Sequence, residues 1–212
     1  PQNDNRIDSF KLGLITLACL IFIAVTFVPI YNIAKKSSTD LLPTWLAAKM
    51  FWEDGVNPYD DIIGQESQLM IYGELVGPEQ DQFQYVYPFY GILYIGPLAF
   101  ADFPLAAAVY MEVLLIGMIL TLGLMLDALK TLPKPVTLGV MMLWTLIAYF
   151  TVRGLLLGQP EFVAYIAHIV ALWGILKGHD KTAGVALAVS TVKPQTGFLI
   201  VPLLLIWAWR MK

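Results

Sequence analysis

Charged residues and cysteine are both scarce in this sequence. Only 14% of the 212 residues are charged, whereas a soluble domain carries about 25%. The net charge of −3 and the lack of a basic stripe argue against a nucleic-acid partner. The single cysteine, Cys19, excludes an internal disulfide and a metal site built from cysteines.

The motifs of common soluble enzymes are missing as well. The sequence contains no glycine-rich phosphate loop, no GxSxG elbow and no HExxH helix. Of its two histidines, His168 lies in an apolar segment, where we interpret it as a hydrogen-bonded core residue, and His179 lies in a charged loop. No cluster has metal-ligand spacing. We therefore predict no certain cofactor, with a divalent metal as an option only.

Apolar residues, in contrast, are abundant. They make up 58% of the chain, and the mean hydropathy is +0.69. A soluble fold of this size has too little interior to bury so much apolar surface. Separate apolar runs of about twenty residues predict an all-α polytopic membrane protein. We place transmembrane helices at 12–31, 105–126, 136–152, 162–176 and 183–209, the last of them broken at 193–196.

The distribution of basic residues predicts the orientation. Arg6 and Lys11 precede the first apolar run, so the N-terminus is expected in the cytoplasm. Residues 32–87 then form a long extracytoplasmic loop, with amphipathic helices expected at 41–53 and 61–76. The tryptophans of the first of these helices favour a position in the membrane interface.

The segment 88–103 decides the topology of the rest of the chain, and it is short for a straight span. A full crossing would place Lys130, Lys134, Lys177 and Lys181 outside. A re-entrant passage keeps these four lysines in the cytoplasm, as the positive-inside rule requires. We favour the re-entrant form, with a spanning helix as the alternative.

Asp40 is the first candidate for chemistry, because it lies in the outer loop just past the first apolar run. A carboxylate at the membrane surface can accept a proton from an attacking hydroxyl, and such general-base help is worth ~10²–10⁴-fold in rate. The alternative is structural: Thr39 or Asp40 caps the helix that begins at Leu41. The two roles are compatible.

Further polar candidates lie on the same predicted side. Arg153, Gln159 and Glu161 fall between two apolar runs; arginine binds phosphate through two hydrogen bonds, and glutamine holds hydroxyls. Lys193 precedes Pro194 inside the last run, where an intramembrane lysine suggests an anionic lipid phosphate. Helix capping and snorkelling to the interface are the structural alternatives.

Four residues complete the predicted substrate-binding set. Asn57 and Tyr59 belong to the turn GVNPYD, and Tyr87 belongs to FQYVYP at a membrane entry. An aromatic platform for a sugar ring is one interpretation, and a plain turn with an aromatic belt is the other. Trp45, on the apolar side of the first outer helix, is assigned to the same set.

The order of these motifs resembles a known family. TDLLPTWLAAKMFWEDGVNPYD, YVYPFYGILYIGPLAFADFP and LLLGQPEF…KGHDKTAG…VKPQTG follow one another as in glycosyltransferase family 87, a group of C-type membrane glycosyltransferases. The resemblance implies a helix bundle whose long first outer loop carries the catalytic aspartate. Asp40 matches that aspartate, Gln159 the Gly-Gln position and Lys193 the Lys-Pro position. Pro160 departs from the pattern.

The resemblance also implies a reaction. Asp40 would deprotonate an acceptor hydroxyl, which attacks the sugar of a polyprenyl-phosphate donor with inversion on the extracytoplasmic side, while Lys193 and Arg153 offset the phosphate charge. Because family members are longer, we interpret residues 1–212 as one transmembrane domain of a longer chain. We expect a bacterial cell-membrane protein among membrane lipids. The alternatives are a non-catalytic subunit with membrane-protein partners and, from the broken last helix alone, a transporter.

Overall fold

A computed structural model describes residues 9–37 and 39–210, without the side chains of residues 9–15 and 18. Arg6 and the side chain of Lys11, which carried the orientation argument, lie outside the described part. All elements of the described ranges are helices: α1 Ser9–Ala34, α2 Leu42–Asp54, α3 Asp61–Tyr72, α4 Gly91–Ala99, α5 Phe103–Ala128, α6 Pro135–Ile147, α7 Tyr149–Leu157, α8 Glu161–Lys177, α9 Asp180–Ser190, α10 Pro194–Gly197 and α11 Ile200–Arg210.

Helix α5 is the central apolar helix of the fold. Its 26 residues extend for about 39 Å at the usual rise, which exceeds the ~30 Å of a bilayer's hydrocarbon core. Within the described ranges, α5 is the one single helix that passes a length and hydropathy test for a membrane span. Helices α6 and α7 pass it together as a pair bent by 42°, since Ala148 between them leaves helical geometry. The multi-pass arrangement thus stays a prediction.

Helix α4 forms the centre of the segment 88–103 and is short. Its nine residues extend for only about 13 Å, less than half of the ~30 Å required. The helix packs on α2, where the indole N–H of Trp45 donates to the carbonyl oxygen of Leu98 at 3.1 Å. Helix α4 is thus held against α2 and is too short to cross alone.

The two helices expected in the outer loop are present. Helix α2 carries the Lys49–Glu53 ion pair, at 2.7 Å, that its spacing predicts. Helix α3 ends earlier than expected because Gly73, at φ +78°, donates its N–H to Leu69 and closes the last turn. The capping hypothesis is wrong: Leu41 occupies the N-cap of α2, and no side chain caps that helix.

Helices α8 and α9 form an antiparallel hairpin packed through small residues. The turn uses Gly178 at φ +75°, a conformation that glycine adopts without strain. A Cβ on Gly174 would lie 3.1 Å from the Cβ of Ala183, so the helix backbones approach closely. The hairpin returns the chain to the beginning of α8.

The predicted break at 193–196 is confirmed. Helix α9 ends at Ser190, the short α10 begins at Pro194, and α11 begins at Ile200. A proline inside a helix has no N–H to donate to the residue four positions before it, so α9 does not continue through Pro194. Val201 and Leu204 of α11 then pack against the buried cluster that Ala171 of α8 forms with Ala186 and Leu187 of α9, so the chain turns back along the hairpin.

Three side-chain hydrogen bonds connect α5 to its neighbours. The hydroxyl of Thr26 in α1 donates to Oε1 of the buried Glu112 at 2.7 Å. At the other end of α5, Asp127 accepts from the indole of Trp173 at 2.7 Å and from Lys177 at 2.9 Å. These hydrogen bonds connect α5 to α1 and to α8, and the one to Glu112 lies in the interior, where an unmet polar group is costly.

Candidate active site

The carboxylate of Asp40 is held by a segment far away in the sequence. Its Oδ2 accepts a hydrogen bond from Nε2 of Gln159 at 2.8 Å. The backbone N–H of Asp40 donates to the carbonyl oxygen of Leu157, at the end of α7, at 3.1 Å. Thr39 makes only a long contact of 3.4 Å with Oδ1. Asp40 is therefore oriented by the α7–α8 turn rather than by a cap on α2.

The α7–α8 turn presents Gln159 to that carboxylate. Gly158 lies at φ +69°, where a side chain would be strained. The N–H of Gln159 donates to Gly154 at 3.0 Å. Pro160, the departure from the family pattern, is buried at the N-cap of α8, where its missing N–H leaves no unmet donor. The proline thus fits the turn and leaves the glutamine in place.

A second pair lies beside the first. Nζ of Lys193 is 2.6 Å from Oε2 of Glu161, and the two side chains are 20% and 35% exposed. Glu161 opens α8, and Lys193 follows α9, so the α8–α9 hairpin brings them together. The partial burial strengthens this ion pair relative to a surface pair, because solvent screens it less.

Tyr87 lies near both carboxylates. Burial and, after it, the negative charges of Asp40 and Glu161 together raise the pKa of Tyr87 to about 12. The phenol consequently stays protonated at neutral pH and keeps a hydrogen to donate. Asp40–Gln159, Glu161–Lys193 and Tyr87 together form what we call the site cluster.

Asn57 and Tyr59 hold the backbone of Tyr87 in place. The hydroxyl of Tyr59 donates to the backbone oxygen of Tyr87 at 2.8 Å. The side-chain oxygen of Asn57 accepts from the N–H of Tyr59 at 3.1 Å. The ring of Tyr85 lies between the other two, with centroids 5.4 Å from Tyr59 and 6.0 Å from Tyr87. The structure therefore places Asn57 and Tyr59 where they position the Tyr87 segment.

Trp45 lies apart from the cluster. It is 5% exposed, and its ring packs on Phe103 with centroids 5.3 Å apart. Its indole N–H is already taken by Leu98. This arrangement gives Trp45 a packing role between α2, α4 and α5.

Arg153 lines a small cavity next to the cluster. This site cavity has a volume of about 300 Å³ and is lined by Tyr149, Phe150, Arg153, Gly154, Gln159 and Glu161. The guanidinium is exposed and donates to the hydroxyl of Tyr149 at 2.8 Å. Sequence reasoning missed Tyr149, although its i,i+4 spacing to Arg153 on one helix face was the available signal.

An apolar cavity continues from Arg153 along α6 and α7. This cavity, which we call the apolar cavity, has about 560 Å³ and is lined by Ile147, Tyr149, Val152, Arg153, Leu156 and Leu157. It shares Tyr149 and Arg153 with the site cavity. The guanidinium of Arg153 therefore lies where the site cavity and the apolar cavity meet. Among the described residues, no three His, Cys, Asp or Glu side chains are grouped to hold a metal ion.

Comparison with protein families gives one result. The model that describes glycosyltransferase family 87 matches residues 85–211. Because the match covers more than half of the 212 residues, the chain belongs to glycosyltransferase family 87. Comparisons with curated proteins and with solved structures found no match.

The family match covers only part of the site. Five of the predicted residues fall inside it and four precede it; those inside are Tyr87, Arg153, Gln159, Glu161 and Lys193. Asp40 precedes the matched region, and it enters the site through its hydrogen bond to Gln159. The contact therefore connects the segment before α2 to the part of the chain that the family model matches.

Proposed function

We propose that this protein transfers a sugar from a polyprenyl-phosphate donor to an acceptor hydroxyl on the extracytoplasmic side of the membrane, with inversion. Membership of a glycosyltransferase family supports sugar transfer in general. The observation that carries the finer proposal is the 2.8 Å contact between Asp40 and Gln159. This contact orients the half-buried carboxylate of Asp40 beside the site cavity, whose wall includes the guanidinium of Arg153.

In this proposal Asp40 acts as the general base. Gln159 holds Oδ2, and Oδ1, which has only the long contact to Thr39, receives the proton of the acceptor hydroxyl. The hydroxyl oxygen bonds to C1 of the sugar while the bond from C1 to the phosphate oxygen breaks. The electron pair leaves with the polyprenyl phosphate, and the single displacement inverts C1. Positioning and proton transfer of this kind support large accelerations.

The leaving phosphate requires positive charge. Arg153 supports this role best, because its guanidinium is exposed and bonds a neutral phenol, leaving donors for two phosphate oxygens. Lys193 is the second candidate, and it would have to exchange Glu161 for the phosphate. The apolar cavity beyond Arg153 suits the first isoprene units of the donor. Fixed cations of this kind stabilise developing charge by several kcal/mol where water is excluded.

The experiment compares the wild type with Asp40→Asn in proteoliposomes. Sugar transfer from radiolabelled polyprenyl-phosphate donors is measured at matched protein levels, and Asp54→Asn, at the end of α2, serves as the control. We expect the rate to fall about 10²–10⁴-fold in Asp40→Asn and to be unchanged in the control. Equal transfer by Asp40→Asn and the wild type would remove Asp40 from the mechanism.

A non-catalytic role as a membrane subunit is supported by a separate observation. Helices α6 and α11 contain no buried residues, so their apolar faces are open to lipid or to another protein. In this second proposal these faces pack against membrane-protein partners. Stoichiometric co-purification of a partner, combined with no sugar transfer by the purified pair, is the outcome that favours the subunit.

A further inference from the structure

A second cavity adjoins the site cavity. This cavity, which we call the His168 cavity, has about 500 Å³ and lies between α6, α7, α8 and the α10–α11 segment; it is lined by Met118, Trp144, Thr145, Ala148, Phe150, Thr151, Glu161, Phe162, Tyr165, His168, Thr196 and Ile200. It shares Phe150 and Glu161 with the site cavity. A ligand in one cavity therefore reaches the wall of the other.

His168 is the least satisfied polar group of this cavity. The residue is 7% exposed, and its Nε2 is buried without a hydrogen-bond partner. The expectation of a hydrogen-bonded core histidine is therefore wrong for this nitrogen. Leaving such an atom unmet costs free energy that a ligand hydroxyl would recover. His168 stands seven residues after Glu161 on α8, which places both on one helix face.

The other wall groups suit a sugar ring. The hydroxyl of Thr196 donates to the carbonyl oxygen of Lys193 at 2.8 Å, so its oxygen can still accept a hydrogen bond. Thr151 adds a buried hydroxyl, while Trp144 and Tyr165 supply aromatic surface. Dispersed hydrogen-bonding atoms between aromatic walls match the hydroxyls and the apolar faces of a carbohydrate.

The charge of the cavity disfavours a phosphate. In the described part of the chain, its lining includes no lysine or arginine, and Glu161 is its one carboxylate. Glu161 is already paired with Lys193 at 2.6 Å, so a phosphate there would find no cation free on the cavity wall, which is costly in a partly buried site. The phosphate thus belongs with Arg153, and the His168 cavity is left for a neutral group.

We propose that the His168 cavity binds a neutral sugar ring, with Nε2 of His168 hydrogen-bonded to one of its hydroxyls. The proposal rests on the proposed function for the origin of the ring, which is either the transferred sugar of the donor or a sugar of the acceptor. Both sources present the same chemistry to the cavity. Glu161, on the shared wall, connects this ring to the site where Asp40 acts.

The direct test is photolabelling of the full-length protein in lipid nanodiscs. The probe is a methyl mannoside that carries a diazirine, and an excess of unlabelled methyl mannoside is the competitor. We expect competed labelling in the peptides 144–151 and 161–168. We expect His168→Leu to weaken it about 3–10-fold, the value of one hydrogen bond. His168→Gln restores a hydrogen-bonding group and should retain most of the labelling.

The controls separate a loss of binding from a loss of folding. His179→Leu alters the other histidine, which stacks on Trp173 outside the cavity, and should label as the wild type does. Thr196→Val removes a second wall group at nearly constant volume and should also weaken labelling. The proposal is overturned if labelling is unchanged in both His168→Leu and Thr196→Val, or if the labelled peptides are others than 144–151 and 161–168.

Kinetics identify the source of the ring. An increase of KM for the donor in His168→Leu assigns the cavity to the transferred sugar, and an increase for the acceptor assigns it to the acceptor. No change in either KM contradicts a place in the reaction. Asp40→Asn should lose transfer yet keep the labelling. Labelling without any transfer by the wild type would instead defeat the proposed function and leave the sugar site standing.

Discussion

Nε2 of Gln159 lies 2.8 Å from Oδ2 of Asp40, although 119 positions separate the two residues in the sequence. A glutamine amide donates through nitrogen only, so this contact leaves the carboxylate as the acceptor. Holding one carboxylate oxygen lets the other face a substrate hydroxyl in a fixed direction. The orientation of the proposed base therefore depends on the α7–α8 turn as much as on its own loop.

Replacement of Gln159 should lower the turnover without removing the base. We expect Gln159→Leu to reduce kcat about tenfold, because a hydrogen bond to a charged group contributes about 1.5–3 kcal/mol and part of it is regained from water. Gln159→Glu should instead move the pH–rate profile towards alkaline pH, since a second carboxylate raises the pKa of the pair. Gln65→Leu, on the exposed side of α3, is the control. An unshifted profile in Gln159→Glu would contradict the contact.

Gly158 should be sensitive to any side chain. Its φ of +69° predicts that Gly158→Ala destabilises the protein by about 1 kcal/mol, since Ala is strained there. Gly184, inside α9, has open space around its missing Cβ, and Gly184→Ala should be neutral or slightly stabilising. Thermal unfolding in a mild detergent measures both. Equal melting temperatures for the two variants would show that the turn tolerates a side chain.

The Glu161–Lys193 pair should show energetic coupling. A double-mutant cycle of Glu161→Gln and Lys193→Met is expected to give a coupling free energy of about 1 kcal/mol in stability. The exposed Lys49–Glu53 pair should give about 0.3–0.5 kcal/mol in the same cycle. Unfolding by denaturant supplies the numbers. If the site pair couples no more than the surface pair, Lys193 is free to serve a ligand instead.

The membrane topology is open to a direct test by cysteine labelling. Replacement of the single cysteine, Cys19, by serine gives a background for Glu79→Cys in the outer loop and Lys134→Cys in the α5–α6 loop. With the proposed re-entrant segment, a membrane-impermeant maleimide added to intact cells should label position 79 and spare position 134. Labelling of both positions would mean that the segment 88–103 spans the membrane and that the lysine-rich loops face outwards.

The sequence prediction succeeded where the interactions are local. Lys49 and Glu53 pair because they are one helical turn apart. The last apolar run is broken between Ser190 and Pro194 because a proline, which lacks an N–H, cannot continue a helix. It failed for Asp40 as a helix cap. Capping depends on where the first turn starts, and Leu41 takes that place when α2 packs against α4.

Residue types and their spacing determined by themselves that the chain is helical, apolar and a member of its glycosyltransferase family, because periodicity, hydropathy and motif order are properties of the chain alone. Tertiary structure alone decided which polar groups from distant parts of the sequence meet. The α8–α9 hairpin, whose helices pack closely through small residues, brings Lys193 to Glu161. The α7–α8 turn brings Gln159 to Asp40. Such pairs follow from how closely helix backbones can pack, a quantity that depends on all the surrounding side chains at once.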